Sequence, residues 1–192
     1  AAAEARAGFG DGSLYLERFY GRARHVEVQV FGDGEGEVLV LGDRDCSVQR
    51  RHQKLLEIAP APGLSPAVRD RIIDAALRIA RTVRYDNIGT FEFLVDASDD
   101  GDGAAFAFIE ANPRLQVEHT VTEEVTGLDL VRCQFELASG KTLAEVGLTQ
   151  TPPVRGYAIQ SRVNLEKMAP DGRLLPTGGR LDAYEAPSGP AI

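Results

Sequence analysis

Strict alternation of apolar and polar residues defines a β-strand early in the chain. In residues 25–31 (His-Val-Glu-Val-Gln-Val-Phe), three valines share one face and three polar side chains share the other. A period of two is typical of a strand, and it predicts that the polar face lies towards solvent. A glycine-rich turn at residues 32–36 precedes a second apolar segment near residues 37–41. The two segments are therefore predicted to form a β-hairpin.

The remaining hydrophobic patterns predict an α+β fold. We expect one amphipathic helix from the N-cap Ser65 to about residue 85, and a second helix over residues 121–139. Apolar, β-prone segments predict further strands near residues 13–20, 90–95, 105–109 and 156–164. Because hairpins and helices follow one another without a regular β-α-β alternation, we expect a largely antiparallel sheet.

An acidic loop, Asp-Asp-Gly-Asp-Gly at residues 99–103, lies between two of the predicted strands. Its composition suggests calcium, but the twelve-residue ligand spacing with a closing glutamate is missing. We interpret it as a solvated hairpin tip.

Composition excludes some functions. The chain has 192 residues, with 21 Lys plus Arg and 29 Asp plus Glu, so its net charge is −8. Such an acidic chain is a poor candidate for nonspecific nucleic-acid binding, and no apolar run approaches the ~20 residues needed to cross a membrane. Cys46 and Cys133 form no CxxC pair, so we expect reduced thiols and a cytoplasmic location. The chain has no initiator methionine and no clear closing element, so we expect a piece of a longer protein.

Two carboxylates and an amide on adjacent predicted strands suggest a metal site. Glu92 lies between two phenylalanines, so its side chain points away from both rings. Glu110 and Asn112 are two residues apart and share a face of the next strand. Mg²⁺ and Mn²⁺ prefer such oxygen ligands, completed by nucleotide phosphates. From alternation alone, the favoured interpretation is that Glu92 and Glu110 are solvent-facing strand residues.

The following residues bring an anion-binding group next to a candidate base. Polar residues occupy every even position from 110 to 118, which in an extended chain would span roughly 26 Å, so we expect a bend near Pro113. The guanidinium of Arg114 can bind a planar oxyanion through two hydrogen bonds. A carboxylate beside that anion, such as Glu118, can act as a base.

A basic segment, residues 45–54, contains Arg50, Arg51, His52 and Lys54. Four cationic or near-cationic groups within five positions suggest a surface that faces phosphate, although a run of charges is usually just a solvated face.

Four long motifs resemble the biotin carboxylase family of the ATP-grasp superfamily: RHVEVQVFGDG, DRDCSVQRRHQK, GTFEF and FIEANPRLQVEHTVTEEVTGLDL. The resemblance covers residues 14–180. It implies the C-terminal half of an ATP-grasp domain over residues 1–150, followed by the start of the biotin carboxylase C-terminal domain at residues 151–192. It also implies that the family's N-terminal domain and lysine-bearing lid are not among these residues.

The resemblance assigns roles to individual residues. Glu118 matches the base that deprotonates bicarbonate, Lys54 a lysine near the transferred phosphate, and Arg162 an arginine that stabilises the biotin enolate. The remaining assignments fall into three groups: a bicarbonate pocket formed by Arg114, Gln116, Val117 and Glu118; metal ligands Glu92, Glu110 and Asn112; and ATP-binding positions Glu17, His25, Gln49, His52, Glu92 and Glu110. Pro113 departs from the threonine found in many relatives.

The implied activity is ATP-dependent carboxylation of biotin by bicarbonate through carboxyphosphate. The implied cofactors are ATP, Mg²⁺ or Mn²⁺, and biotin on a separate carrier domain. The implied partners are a biotin carboxyl carrier domain and a carboxyltransferase domain or subunit, with a homodimer in the full-length enzyme. We expect the 192 residues alone to be inactive. Two alternatives remain at this point: a carbamoyl-phosphate synthase-like ATP-grasp ligase, and a non-catalytic module that kept the fold.

Overall fold

The structure is a computed structural model that describes residues 1–99 and 101–189. It contains two compact units, residues 1–160 and residues 161–192. The first unit has helices α1 (Ala2–Phe9), α2 (Pro66–Thr82), α3 (His119–Thr126) and α4 (Leu130–Ala138). Its strands are β1 (Ala23–Asp33), β2 (Val38–Arg50), β3 (Gln53–Ala59), β4 (Asp86–Asp96) and β5 (Phe106–Asn112), and β6 (Ala158–Ser161) ends at the boundary. In the second unit, β7 (Glu166–Met168) pairs antiparallel with β8 (Leu174–Pro176).

One sheet organises the first unit, in the order β5-β4-β1-β2-β3-β6. β1 pairs antiparallel with β2 and β4, β2 with β3, and β4 with β5. The predicted α+β fold with a mainly antiparallel sheet is therefore confirmed. The predicted boundary between domains at residue 150 stays a prediction.

Helices cover both faces of the sheet. On one face, α2 packs through Val68, Ile72 and Ala76 against a cluster that includes Phe91 and Phe93. On the other face, α4 packs against the strands in a second cluster, and α3 packs in a third around Val121 and Val125. Burial of these apolar surfaces is the main contribution that holds the layers together.

Burial of β1 corrects the expectation of one solvent-facing side. The valines of β1 are fully buried, but so are Glu27 at 0% and Gln29 at 1% exposure. The reason is that β1 lies in the middle of the sheet, between β2 and β4, with helices over both faces. A polar strand face can lie inside a protein when hydrogen bonds and opposite charges compensate it.

The helix predicted over residues 121–139 is two helices. Gly127 ends α3 with φ 73°, in the left-handed region, and Asp129 caps α4 by accepting a hydrogen bond from the Arg132 backbone N–H. A glycine C-cap followed by an aspartate N-cap separates consecutive helices. The first predicted helix begins as expected at Ser65 but ends at Thr82, and the Ser65 hydroxyl donates to Asp102 instead of capping the helix.

The basic segment forms a tight hairpin between β2 and β3. Arg51 and His52 form its two-residue turn, both with positive φ (51° and 63°), and Arg50 pairs with Gln53. Such φ values at both turn residues are those of a type I′ turn. β2 therefore extends well beyond the short strand predicted near residues 37–41.

One predicted strand is not present in the structure, and one predicted loop lies partly outside the described residues. Residues 13–20 form no strand, and most of them are exposed. The acidic loop connects β4 to β5 as expected, but Asp100 lies outside the described residues. In the described part of the chain, no helix has the length and apolar character needed to cross a membrane.

Candidate active site

Four charged residues lie side by side across four neighbouring strands. Arg44 is paired with Glu27, Glu27 with Glu92, and Glu92 with Glu110. Directly opposed residues point to the same face of a sheet, so β2, β1, β4 and β5 present these groups together. Exposure rises along the row, from 0% for Arg44 and Glu27 through 5% for Glu92 to the exposed Glu110. The row therefore leads from the core to the surface.

Lys54 of β3 joins three carboxylates at the centre of the site. Its Nζ donates to Glu27 Oε2 at 2.6 Å, to Glu92 Oε1 at 3.0 Å and to Glu118 Oε1 at 2.6 Å. These contacts use all three N–H groups of an ammonium. Lys54 thus connects the row of charged residues on the sheet to the start of α3.

The cluster keeps its charges because opposite charges compensate for burial. Burial disfavours ionised Glu27, but Arg44 and Lys54 outweigh this and hold its pKa below the usual value. Burial likewise disfavours the ammonium of Lys54, but Glu27 outweighs it and the pKa of Lys54 is raised. For Glu92, hydrogen bonds from His25 and Gln116 and the charge of Lys54 outweigh burial and lower the pKa to about 2. Glu27, Glu92 and Lys54 are therefore all charged near neutral pH.

Glu118 occupies the N-cap position of α3. Its side chain is 2% exposed and lies against Lys54 instead of capping the helix. The positive end of the helix dipole and the ammonium both favour a carboxylate at this place. A buried carboxylate held beside a cation can accept a proton from a bound substrate.

The three predicted metal ligands lie together. Asn112 Nδ2 donates to Glu92 Oε1 at 3.1 Å and to Glu110 Oε1 at 2.9 Å, so one amide bridges both carboxylates. This donor set fits Mg²⁺ or Mn²⁺, since it offers hard oxygen ligands at the edge of the sheet. Asn112 would present its Oδ1 to a metal by turning the amide over.

Two of the predicted ATP-binding residues contact the same cluster. His25 Nε2 lies 2.8 Å from Glu92 Oε2, and Gln49 Nε2 lies 2.9 Å from His25 Nδ1. Gln49 also donates to the carbonyl of Cys46 at 2.8 Å. His52 and Glu17, by contrast, are exposed, His52 in the β2–β3 turn and Glu17 outside regular structure. The structure therefore brings His25 and Gln49 to the cluster but not His52 or Glu17.

The predicted bicarbonate pocket is partly assembled. Gln116 Nε2 donates to Glu92 Oε1 at 3.0 Å, and Glu118 contacts Lys54. Val117 is 60% exposed, and Arg114 is exposed and donates to the Leu115 carbonyl at 3.2 Å. Gln116 and Glu118 thus point inwards while Arg114 and Val117 face solvent.

Arg162 lies in the second unit, where it is half-buried. Its predicted contact with biotin stays a prediction.

Sequence reasoning missed five residues of the cluster: Glu27, Gln29, Arg44, Thr90 and Thr122. Arg44 donates to the side chains of Glu27, Gln29, Thr90 and Thr122. The sequence did indicate Glu27 and Gln29, because both share a strand face with the predicted ATP-binding residue His25. The others become visible only when strand register and the position of α3 are known.

Comparisons with known proteins agree on the kind of domain. The carbamoyl-phosphate synthase L chain, ATP binding domain family matches residues 1–146. Pyruvate carboxylase 1 of Caenorhabditis elegans is 52% identical over 190 residues, which is 98% of this chain and 16% of that protein. The chain therefore spans about a sixth of the length of that relative.

Two solved structures have the same fold over nearly the whole chain. A biotin carboxylase domain of a single-chain bacterial carboxylase is 51% identical with a TM-score of 0.79, covering 98% of this chain and 40% of that one. The biotin carboxylase domain of Hydrogenobacter thermophilus 2-oxoglutarate carboxylase, in complex with MgADP, ADP and bicarbonate, is 39% identical with a TM-score of 0.82 and the same coverage.

Proposed function

The chain belongs to the family of the carbamoyl-phosphate synthase L chain ATP-binding domain, and from this premise we propose that it is the catalytic-centre part of a biotin carboxylase. The proposed reaction is ATP-dependent carboxylation of biotin by bicarbonate, through carboxyphosphate. The observation that carries this proposal is the position of Lys54, which joins the candidate base Glu118 to the candidate metal ligand Glu92. Phosphate, metal and bicarbonate must meet in one place for this chemistry, and Lys54 lies where they would meet.

Glu92, Glu110 and Asn112 would hold Mg²⁺ or Mn²⁺ with the nucleotide. The ion would neutralise charge on the ATP phosphates. Support comes from the donor set itself, which contains two carboxylates and one amide bridged by hydrogen bonds. The Hydrogenobacter domain binds MgADP and bicarbonate, which are the product nucleotide with its metal and the carboxyl donor of the proposed reaction.

Glu118 begins the reaction by taking the proton of bicarbonate. The deprotonated bicarbonate attacks the γ-phosphorus of ATP, and the bond to the ADP oxygen breaks. Lys54 lies near the transferred group, where its ammonium stabilises developing negative charge. Carboxyphosphate then separates into CO₂ and phosphate.

The released phosphate takes the N1 proton of biotin, and the biotin enolate attacks CO₂ to give carboxybiotin. Arg114, Gln116 and Val117 bind bicarbonate in this proposal, and Arg162 stabilises the enolate. Arg114 must turn inwards from the exposed position described above. Glu17, His25, Gln49 and His52 contribute to ATP binding.

The parent protein is proposed to be a biotin-dependent carboxylase with a carrier domain and a carboxyltransferase domain or subunit. Relatives named as pyruvate carboxylase and as 2-oxoglutarate carboxylase carry this kind of domain, so the carboxyl acceptor is not fixed by it. A homodimer and a cytoplasmic location are part of the proposal. Cys46 and Cys133 are unpaired and buried, which fits a reducing compartment.

The test is bicarbonate-dependent ATP turnover by the complete protein, measured with and without free biotin. We expect biotin to stimulate turnover, and Glu118→Gln to lower it at least about 100-fold, as loss of a general base does. Glu124→Gln is the matched control, because Glu124 lies on the same helix but is exposed. Wild-type turnover that biotin leaves unchanged, or an active Glu118→Gln variant, would contradict the proposal. Carbamoyl phosphate formed from ammonia would favour the carbamoyl-phosphate synthase alternative.

A further inference from the structure

We propose that Arg44 is a positioning residue. Its hydrogen bonds to Glu27 of β1 and Thr122 of α3 hold the side chains of Lys54 and Glu118 in position relative to each other. This inference rests on the proposed function and adds a residue to its machinery. It follows from one buried guanidinium whose partners lie on three different elements.

Arg44 has an unusual environment for a charged side chain, since it is 0% exposed. Its Nε donates to Glu27 Oε1 at 2.5 Å, and its Nη1 donates to Gln29 Oε1 and Thr122 Oγ1, both at 2.8 Å. Its Nη2 donates to Thr90 Oγ1 at 3.1 Å. Four of the five N–H groups of a guanidinium are thus directed at defined acceptors.

The first connection runs through Glu27 to Lys54. One carboxylate oxygen of Glu27 accepts from Arg44, and the other accepts from Lys54 at 2.6 Å. Because the carboxylate is planar and fully buried, fixing one oxygen fixes the direction of the other. The position of the Lys54 ammonium therefore depends on Arg44.

The second connection runs through Thr122 to Glu118. Thr122 lies four residues after Glu118, one turn into α3, and is 1% exposed. Its bond from Arg44 attaches the first turn of α3 to β2. Both partners of the 2.6 Å contact between Lys54 and Glu118 are consequently set by the same guanidinium.

Stability alone does not account for this arrangement. Buried ion pairs can often be replaced by apolar groups of similar volume without loss of stability, because desolvating the charges is costly. A geometric role explains why a charged group with several directed hydrogen bonds occupies the centre of the sheet.

The test uses Thr122→Val in the complete protein, because Arg44 variants could fail to fold. Valine keeps the shape of threonine and removes one acceptor of Arg44. We expect kcat for bicarbonate-dependent ATP turnover to fall about fivefold to tenfold, with KM for ATP changed less than about twofold. Thr122→Ser keeps the hydroxyl and should restore most of the lost turnover.

A second measurement separates positioning from a merely structural role. In a Glu118→Gln background, Thr122→Val should leave the residual turnover unchanged, because the carboxylate whose position Thr122 helps to set is gone. A wild-type kcat in Thr122→Val, or an equal fall in kcat in both backgrounds, would overturn the proposed role of Arg44 and leave the proposed function standing. Absence of biotin-stimulated turnover in the wild-type protein would overturn the proposed function and this inference with it.

Discussion

Lys54 and Glu118 are 64 residues apart in the chain, and a 2.6 Å hydrogen bond joins their side chains. The lysine comes from a strand and the glutamate from the residue that begins a helix. A buried hydrogen bond to Glu27 holds Lys54 in place, and a buried hydrogen bond from Arg44 to Thr122 holds the first turn of α3, which follows Glu118. The hydrogen bond between Lys54 and Glu118 can therefore form only when α3 is correctly packed on the sheet.

Replacing Lys54 by methionine should destabilise the chain at pH 7 by about 3–5 kcal/mol, the usual effect of removing one partner from a buried charge pair. Three carboxylates would lose their shared cation. The loss of unfolding free energy should be smaller at pH 5, because carboxylates without a counter-charge take up protons more readily. Thermal unfolding at the two pH values measures this.

Lys141→Met is the control for that experiment, since Lys141 is 48% exposed and has a carboxylate at 3.6 Å. We expect it to change stability by less than about 0.5 kcal/mol. An equal loss for Lys54→Met at both pH values would contradict the account of the cluster.

Glu110→Gln should weaken metal binding while leaving the fold intact, because Glu110 is exposed. In the complete protein, we expect the Mn²⁺ concentration needed for half-maximal ATP turnover to rise about tenfold or more. Titration with Mn²⁺ at saturating ATP measures the shift. Glu124→Gln, also exposed, should leave it unchanged, and an unchanged value for Glu110→Gln would remove that residue from the proposed ligands.

Glu92 should make stability depend on pH in the acid range. Its pKa is about 2 in the folded chain against an ordinary value of 4.5. A carboxylate whose pKa is lowered by folding stabilises fully above the ordinary pKa, and this contribution disappears as the pH falls towards the folded value. Between about pH 4.5 and pH 2, Glu92→Gln should therefore lose less stability than the wild type.

Chemical denaturation at several pH values in this window tests the prediction. Glu35→Gln provides a control, because the Glu35 side chain is 79% exposed. The same slope of stability against pH in wild type and Glu92→Gln would show that the charge of Glu92 is not stabilised as described.

Gly89→Ala should destabilise the sheet by about 1–3 kcal/mol, as overpacking does. A Cβ at this position would lie 1.7 Å from Tyr85 Oη, so Tyr85 or β4 must move. Gly103→Ala is the matched control, since a Cβ there meets no described atom within 4 Å. Melting temperatures of the two variants compare them directly, and equal values would contradict the close packing at Tyr85.

The 192-residue chain alone should show no appreciable bicarbonate-dependent ATP turnover. The family resemblance implies an N-terminal domain and a lysine-bearing lid that are not among these residues. Isothermal titration with ATP should likewise show only weak binding. Turnover comparable to that of a full-length biotin carboxylase would contradict this expectation.

Local patterns predicted the strand faces correctly where alternation was clear. Phe91 and Phe93 pack in the cluster that includes α2, and Glu92 points the other way, as its position between them indicated. Its direct pairing with Glu110 depends on the register between β4 and β5, which alternation does not predict. The family resemblance inferred from long motifs is also confirmed by the matching relatives.

Properties that depend on distant parts of the chain were not predictable in this way. Nothing in residues 25–31 indicates that the start of α3, about ninety positions later, is connected to the polar groups of β1 through Arg44 and Lys54. Burial of Glu27 and Arg44 therefore became apparent only in the structure. Residues 13–20 show the opposite case, because β-prone residues form a strand only when another strand pairs with them.

The two-residue turn at Arg51 and His52 restricts how the length of the chain can vary here. Gln49 faces Lys54 across this turn. One inserted residue would shift β3 by a single position and send the lysine to the opposite side of the sheet, away from its carboxylates. Substitutions at the two turn positions should be tolerated where the new residues adopt positive φ, whereas a single-residue insertion or deletion would remove the Lys54 ammonium from the carboxylate cluster.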